Sequence, residues 1–225
     1  MIKAVILDYG GTLAHSNVSF DTVLDRAVKR LLVEGLKVTA LDFKNAFMDT
    51  VEWRRSIQEE GKEVDVHGFF GHVLGVFGWK VGRDVTDELG LYVYEAGDPE
   101  WLVDIEKLLI ELSAEYKVAL LSNAWLEAPR QLLRDRGYSR WFDVMVVSFD
   151  IGISKPDKRI FQHTLNVLGV EAHEAVMVGD SIKADIEGAI NSGLQAVWVD
   201  YEGTREWTGY SLDNLNDLPE LLRKL

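Results

Sequence analysis

Four stretches of this chain, "KAVILDYGGT", "KVALLSNA", "DVMVVSFDIG" and "AVMVGDS", run several apolar residues together and then break into polar or glycine residues; "LQAVWVD" offers a fifth. No other feature constrains the fold as strongly. A strand with one wet face alternates apolar and polar residues, whereas a strand covered on both faces is apolar throughout. Helical spacing of apolar residues appears in "EWLVDIEKLLIELSAEY", before the second run, and in "KPDKRIFQHTLNVLG", before the fourth, which closes on Gly169 as a C-cap. Buried strands alternating with helices predict βαβ crossovers and a parallel sheet covered on both sides, an α/β fold.

The interval between Asp8 and Ser122 is far longer than one crossover needs. In it, "FDTVLDRAVKRLLVEGL" and "ALDFKNAFMDTVEWRRSIQEEG" repeat apolar residues every three to four positions, the signature of amphipathic helices. The glycine-rich, aromatic "VHGFFGHVLGVFGWKVG" reads as helix or as loop. The expectation is a Rossmann-like core of residues 1–14 and 98–225, with a helical insertion, 15–97, closing over the C-terminal edge of the sheet, where open α/β sheets bind ligands. The tail "SLDNLNDLPELLRKL" predicts a terminal helix after a polar turn.

Lys and Arg number 24 against 37 Asp and Glu, a net charge of −13. That balance argues against nucleic acid or an anionic membrane as partner, since both require a positive face. A small anion remains admissible if a cation or backbone N–H groups invert the field locally. The chain has no cysteine, so disulfides and thiolate chemistry are absent. The first apolar run is too short for a signal-peptide core and no stretch approaches a membrane span, so the expectation is a soluble cytoplasmic protein.

Each polar strand end has a bland reading: Asp8 as a turn former, Ser122-Asn123 as a helix cap, Lys155 as a surface charge, "GDSIKAD" as a glycine turn. A parallel sheet brings all four to one edge, which favours a single site. Together, "VILDYGGT", "LLSNA", "GISKPDKRIF" and "VMVGDSIKADIEGAINSGLQAVWV" resemble, in order and spacing, the four motifs of the haloacid dehalogenase superfamily, mostly phosphatases, around a helical cap. The resemblance implies hydrolysis of a small phosphorylated metabolite, with Asp8 as nucleophile forming an aspartyl-phosphate. It implies that Ser122 hydrogen-bonds a phosphoryl oxygen, that Lys155 neutralises shared charge, and that Gly11, Thr12 and Asn123 help cradle the phosphate. It further implies Mg²⁺ held by Asp8, Asp180 and the carbonyl of Gly10, with Asp185 supporting a metal-bound water or Lys155.

One residue departs from the phosphatase pattern. Two positions beyond the nucleophile, where those enzymes carry an acid–base aspartate, this chain has Gly10. The loss weighs on poor leaving groups, because general acid–base catalysis contributes roughly 10²–10⁴ in rate. Replacement donors are sought in His15, His67, His72 and Glu59. Trp53, Phe69, Phe70 and Phe77 read first as a small helical core; in a second reading Trp53, Arg54 or Arg55 and Trp125 face the site and select substrate. Three other readings stay open. A 2-haloacid dehalogenase needs no acid, but it has a tyrosine where this chain has Phe161. A phosphonate hydrolase would use Lys44 or Lys62 as a Schiff base. A non-catalytic protein would bind a phosphorylated ligand or a partner.

Overall fold

The computed structural model describes the backbone of residues 1–225 and the side chains of all but residues 16–18 and 97–98. In chain order the elements are β1 (Ala4–Leu7), β2 (Ala14–Val18), α1 (Phe20–Val33), α2 (Ala40–Glu59), α3 (Val66–Gly75), α4 (Arg83–Glu95) and β3 (Gly97–Trp101). There follow α5 (Ile105–Glu115), β4 (Lys117–Ser122), α6 (Ala128–Asp135), β5 (Val144–Val147), the single turn α7 (Ser148–Ile151) and α8 (Lys158–Leu168). The chain ends with β6 (Ala175–Gly179), α9 (Gly188–Asn191), β7 (Gln195–Val199), β8 (Ser211–Leu212) and α10 (Leu218–Leu222).

Six strands pair in the order β5-β4-β1-β6-β7-β8, every pairing parallel. The continuous apolar runs are explained by what covers each face. Along β1, Val5 and Leu7 pack with Leu108, Leu109 and Leu112 of α5, while Ala4 and Ile6 pack with Ile160, Phe161 and Leu165 of α8. Successive side chains point to opposite faces, so two helical layers demand apolar residues at every position. The chain leaves β1 in one direction to β4 and β5 and returns on the other side to β6 and β7. The carboxyl ends beside β1 therefore form the switch point of the sheet.

Residues 20–95 form four helices with a core of their own. In α2, Phe43, Ala46, Phe47 and Thr50 are buried at helical spacing, and they meet Phe69, Phe70, Val73 and Leu74 of α3. The ambiguous aromatic stretch is helical over Val66–Gly75, started by the Asp65 carboxylate accepting from the Gly68 N–H at 2.7 Å. Two differences from the sequence reading stand out. Residues 14–18 and 97–101, placed across the edges of the helical insertion, instead form an antiparallel ribbon of β2 and β3. In the tail, Ser211-Leu212 adds a sixth strand to the sheet, and the helix is confined to five residues. No helix among the described residues is long and apolar enough to cross a membrane.

Candidate active site

Asp8 is the first residue beyond β1, Ser122 the last of β4, and Asp180 the first beyond β6. Lys155 comes from the loop before α8, and Asp185 from a π-helical stretch, Ile182–Glu187, of the kind that often marks functional positions. All five line one cavity of about 370 Å³, together with Gly10, Asn123, Trp125 and Arg54.

Lys155 is 2% exposed, and its Nζ donates to Asp8 Oδ1 at 2.7 Å, Asp185 Oδ1 at 2.6 Å and the Leu121 carbonyl at 2.8 Å. Burial alone would lower its pKa, but the charges of Asp185 and Asp8 outweigh that and hold it above the usual lysine range. Its backbone is fixed as well: the Asn123 amide donates to the Lys155 carbonyl at 2.9 Å and accepts its N–H at 2.8 Å. The ends of β4 and of the lysine loop are thereby one rigid piece.

Carboxylate oxygens of Asp8, Asp180 and Asp185 lie within 4.8 Å of one another, opposed by one buried ammonium. Desolvation and the charge of Asp8 push the Asp180 carboxyl up to about 6, and burial likewise raises that of Asp185 despite Lys155. Unscreened negative charge on oxygen donors suits a hard divalent cation. Asp185 is differently engaged. One of its oxygens takes the Lys155 ammonium and the other the Ser181 N–H at 3.0 Å, so it orients the lysine. Asp180 is the exposed member of the three. Glycines permit this crowding, since a Cβ on Gly179 would overlap Asp185 and one on Gly11, whose φ is +77°, would overlap Asp180.

Several expected site residues lie elsewhere. The Gly11 N–H donates to the Ala14 carbonyl at 3.0 Å, closing the turn after β1 rather than facing a ligand. Thr12 is fully buried, and its hydroxyl reaches Asp8 Oδ2 at 3.3 Å and Asp180 Oδ1 at 3.4 Å, so it braces the carboxylates. Trp53 stacks on His72 at 4.0 Å between ring centroids, outside the cavity, because the face of α2 that carries it packs on α3. The proposed replacement acids are also absent from the cavity wall. His72 and His67 pair with Thr50 and Thr86, Glu59 pairs with Lys183 on the surface, and His15 borders a separate hollow behind Asp180. Lys62 is on the surface beside Glu60, and Lys44 lies over Phe20, so neither offers an amine to the cavity.

Arg54 does reach the cavity, held by a carboxylate that the sequence reading passed over. Glu63, its side chain wholly buried, accepts Arg54 Nε at 2.8 Å, Arg54 Nη2 at 2.6 Å, Gln58 Nε2 at 2.9 Å and the Ser148 hydroxyl at 2.7 Å. Ser148 in turn accepts the Ala124 N–H at 2.9 Å. Trp125 stacks on Phe69 of α3 at 4.3 Å and forms part of the wall.

The chain is similar to several known proteins. A glyceraldehyde 3-phosphate phosphatase of Methanothermobacter thermautotrophicus is 28% identical over 232 residues, covering 98% of both chains. An N-acylneuraminate-9-phosphatase of Rattus norvegicus is 33% identical over 128 residues, 54% of this chain; the matched stretch spans about half that relative's length, 52%. Among solved structures, a 2-haloacid dehalogenase from Pseudomonas syringae superposes with a TM-score of 0.75 at 22% identity, covering 100% of this chain and 99% of that one, a likeness of fold. A family model described as haloacid dehalogenase-like hydrolase matches residues 2–193, from before β1 to just beyond α9 and so across every strand end that builds the cavity. On that match, the chain belongs to the haloacid dehalogenase-like hydrolases.

Proposed function

We propose that this hydrolase cleaves small phosphate monoesters or anhydrides through an aspartyl-phosphate on Asp8, with Mg²⁺ as cofactor. The observation that carries the reading is Lys155 buried between Asp8 and Asp185, with Asp180 facing them across an oxygen-lined gap. The phosphatase names of the relatives support it. Asp8, Asp180 and the Gly10 carbonyl would hold the cation, which when bound neutralises negative charge on the phosphoryl oxygens.

In the first step an Asp8 carboxylate oxygen bonds to phosphorus while the bond to the leaving oxygen breaks, the electron pair departing with that oxygen. Lys155 holds charge on Asp8 and on the phosphoryl group, and Ser122 donates its hydroxyl to a phosphoryl oxygen. In the second step a water oxygen bonds to phosphorus as the bond from phosphorus to the Asp8 oxygen breaks, the water's proton passing to solvent and phosphate leaving. Residue 10 has no side chain to give or take a proton, so both steps lack that assistance. The three carboxylates disfavour a haloacid, whose own carboxylate would meet them, and Phe161 is sealed in the core beneath the sheet.

Rapid-mix hydrolysis of p-nitrophenyl phosphate tests the reading. We expect Mg²⁺-dependent release that vanishes in Asp8→Asn while the circular dichroism spectrum is retained. Equal release by the variant removes Asp8 as nucleophile. Release from chloroacetate, with none from phosphate esters, makes the chain a dehalogenase.

A further inference from the structure

Part of the cavity wall, contributed by elements other than those that carry the aspartates, is apolar. Val93 and Tyr94 of α4, Pro99 of β3, Leu126 in the loop after β4, and Pro129 and Leu132 of α6 form it. Two of the polar side chains bordering this wall are already engaged. The Tyr94 hydroxyl donates to Asp135 at 2.6 Å, and the Arg54 guanidinium is held side-on by Glu63, through Nε and Nη2. The Tyr9 hydroxyl is shielded from solvent without a partner, and burial raises its pKa. A leaving group rich in hydroxyls would shed its water here and find few replacements, at a cost for each unmade hydrogen bond. A flat hydrocarbon group would gain by burial.

A second observation is independent of the wall. Among the described residues lining the cavity there is no histidine or glutamate, and its only carboxylates are Asp8, Asp180 and Asp185. The leaving oxygen therefore departs without a dedicated proton donor. An oxygen of phenolic acidity, with a pKa of about 10 as in tyrosine, tolerates this far better than an alkanol.

We infer that the site is built for phosphate monoesters of phenols, the aromatic ring lying against the wall formed by α4, β3 and α6. Turnover of such an ester rests on the phosphatase reading above; recognition of the ring does not. The bond between phosphorus and the phenolic oxygen breaks as Asp8 bonds to phosphorus, and the ring leaves as phenolate, taking its proton from solvent.

Calorimetric titration of the full chain in Mg²⁺ with phenylphosphonate, methylphosphonate and 2-hydroxyethylphosphonate separates recognition from chemistry, because none of these has a P–O ester bond to cleave. Phenylphosphonate is expected to bind at least roughly tenfold more tightly than the other two, as burial of a ring implies. Leu132→Asn and Val93→Asn, on different helices, should each narrow that margin. Equal affinities, preference for the hydroxyethyl compound, or binding of none overturns the inference. Phosphate release from phenyl phosphate and glycerol 3-phosphate is followed in parallel. Release from both with no phenyl preference leaves a phosphatase but removes the aryl subsite. A phenyl preference without release from either ester supports the subsite and overturns the turnover reading.

Discussion

A Cβ built on Gly10 would meet nothing within 4 Å, and the residue lies outside the left-handed region, so a side chain fits there without strain. Gly10→Asp should therefore fold and place a carboxyl beside Asp8 in the cavity. We expect this variant to gain up to ~10²–10⁴ in kcat/KM on an alkyl phosphate and little on p-nitrophenyl phosphate, whose leaving oxygen needs no proton. Steady-state rates on the two esters give the comparison. An equal gain on both would mean that residue 10 acts on charge rather than on proton transfer. At this scale the convergence of Asp8, Ser122 and Asp180 was legible because strand ends in a parallel sheet meet whatever the intervening chain does, and Lys155 joins them from the loop before α8. Gly11 and Thr12 make turn and bracing contacts, and motif spacing does not reveal whether a polar group faces the ligand or braces the residue that does. Trp53 takes the packing reading, stacked on His72 of α3: helical periodicity shows that a face is buried, not what buries it.

Among the elements, the strands were the easiest to read, since two-sided burial leaves continuous apolar runs. The ribbon was hidden, because "AHSNV" and "GDPEW" carry neither alternation nor β-branched enrichment and are specified only by pairing with each other. Glu63 was hidden for the opposite reason. Within "EEGKEVD" it reads as part of a solvated charge run, yet it joins α2 to the start of α7 through Arg54, Gln58 and Ser148. Glu63→Ala leaves a guanidinium that is 14% exposed without its partner. Removing one member of such a buried pair costs about 3–5 kcal/mol. Urea unfolding should show a loss of that order, with much of it recovered in Arg54→Met/Glu63→Leu. A loss below ~1 kcal/mol, in the range of surface pairs, would show that water replaces the carboxylate.

For the whole molecule, the carboxylate cluster links stability to pH and to the cation. Asp180 in the folded chain titrates at about 6, and Asp185 is also raised, both above the value of ~3.9 for a free aspartate. Between those limits the folded state binds more protons than the unfolded state. The contribution of this pair to stability therefore falls as pH rises from about 4 through 6. A divalent cation must displace those protons, so the Tm increment between Mg²⁺ and EDTA should be larger at about pH 7.5 than at about pH 5. Taking the difference cancels surface carboxylates such as Glu60 and Asp157, whose pKa values are lowered and whose effect has the opposite sign. An increment independent of pH would place the cation elsewhere.

The two attachments of the four-helix unit have a consequence for motion. It is joined to the sheet-bearing core by the β2–β3 ribbon, and again where residues 61–63 bond to residues 152–154 beside Glu63 and Ser148. A unit fastened along one seam can pivot about it; fastened along two, it parts from the core only when the second seam comes undone and the buried Glu63 carboxylate is rewetted. Moving that unit away from the core would therefore break the hydrogen bonds of the second seam as well as those of the ribbon.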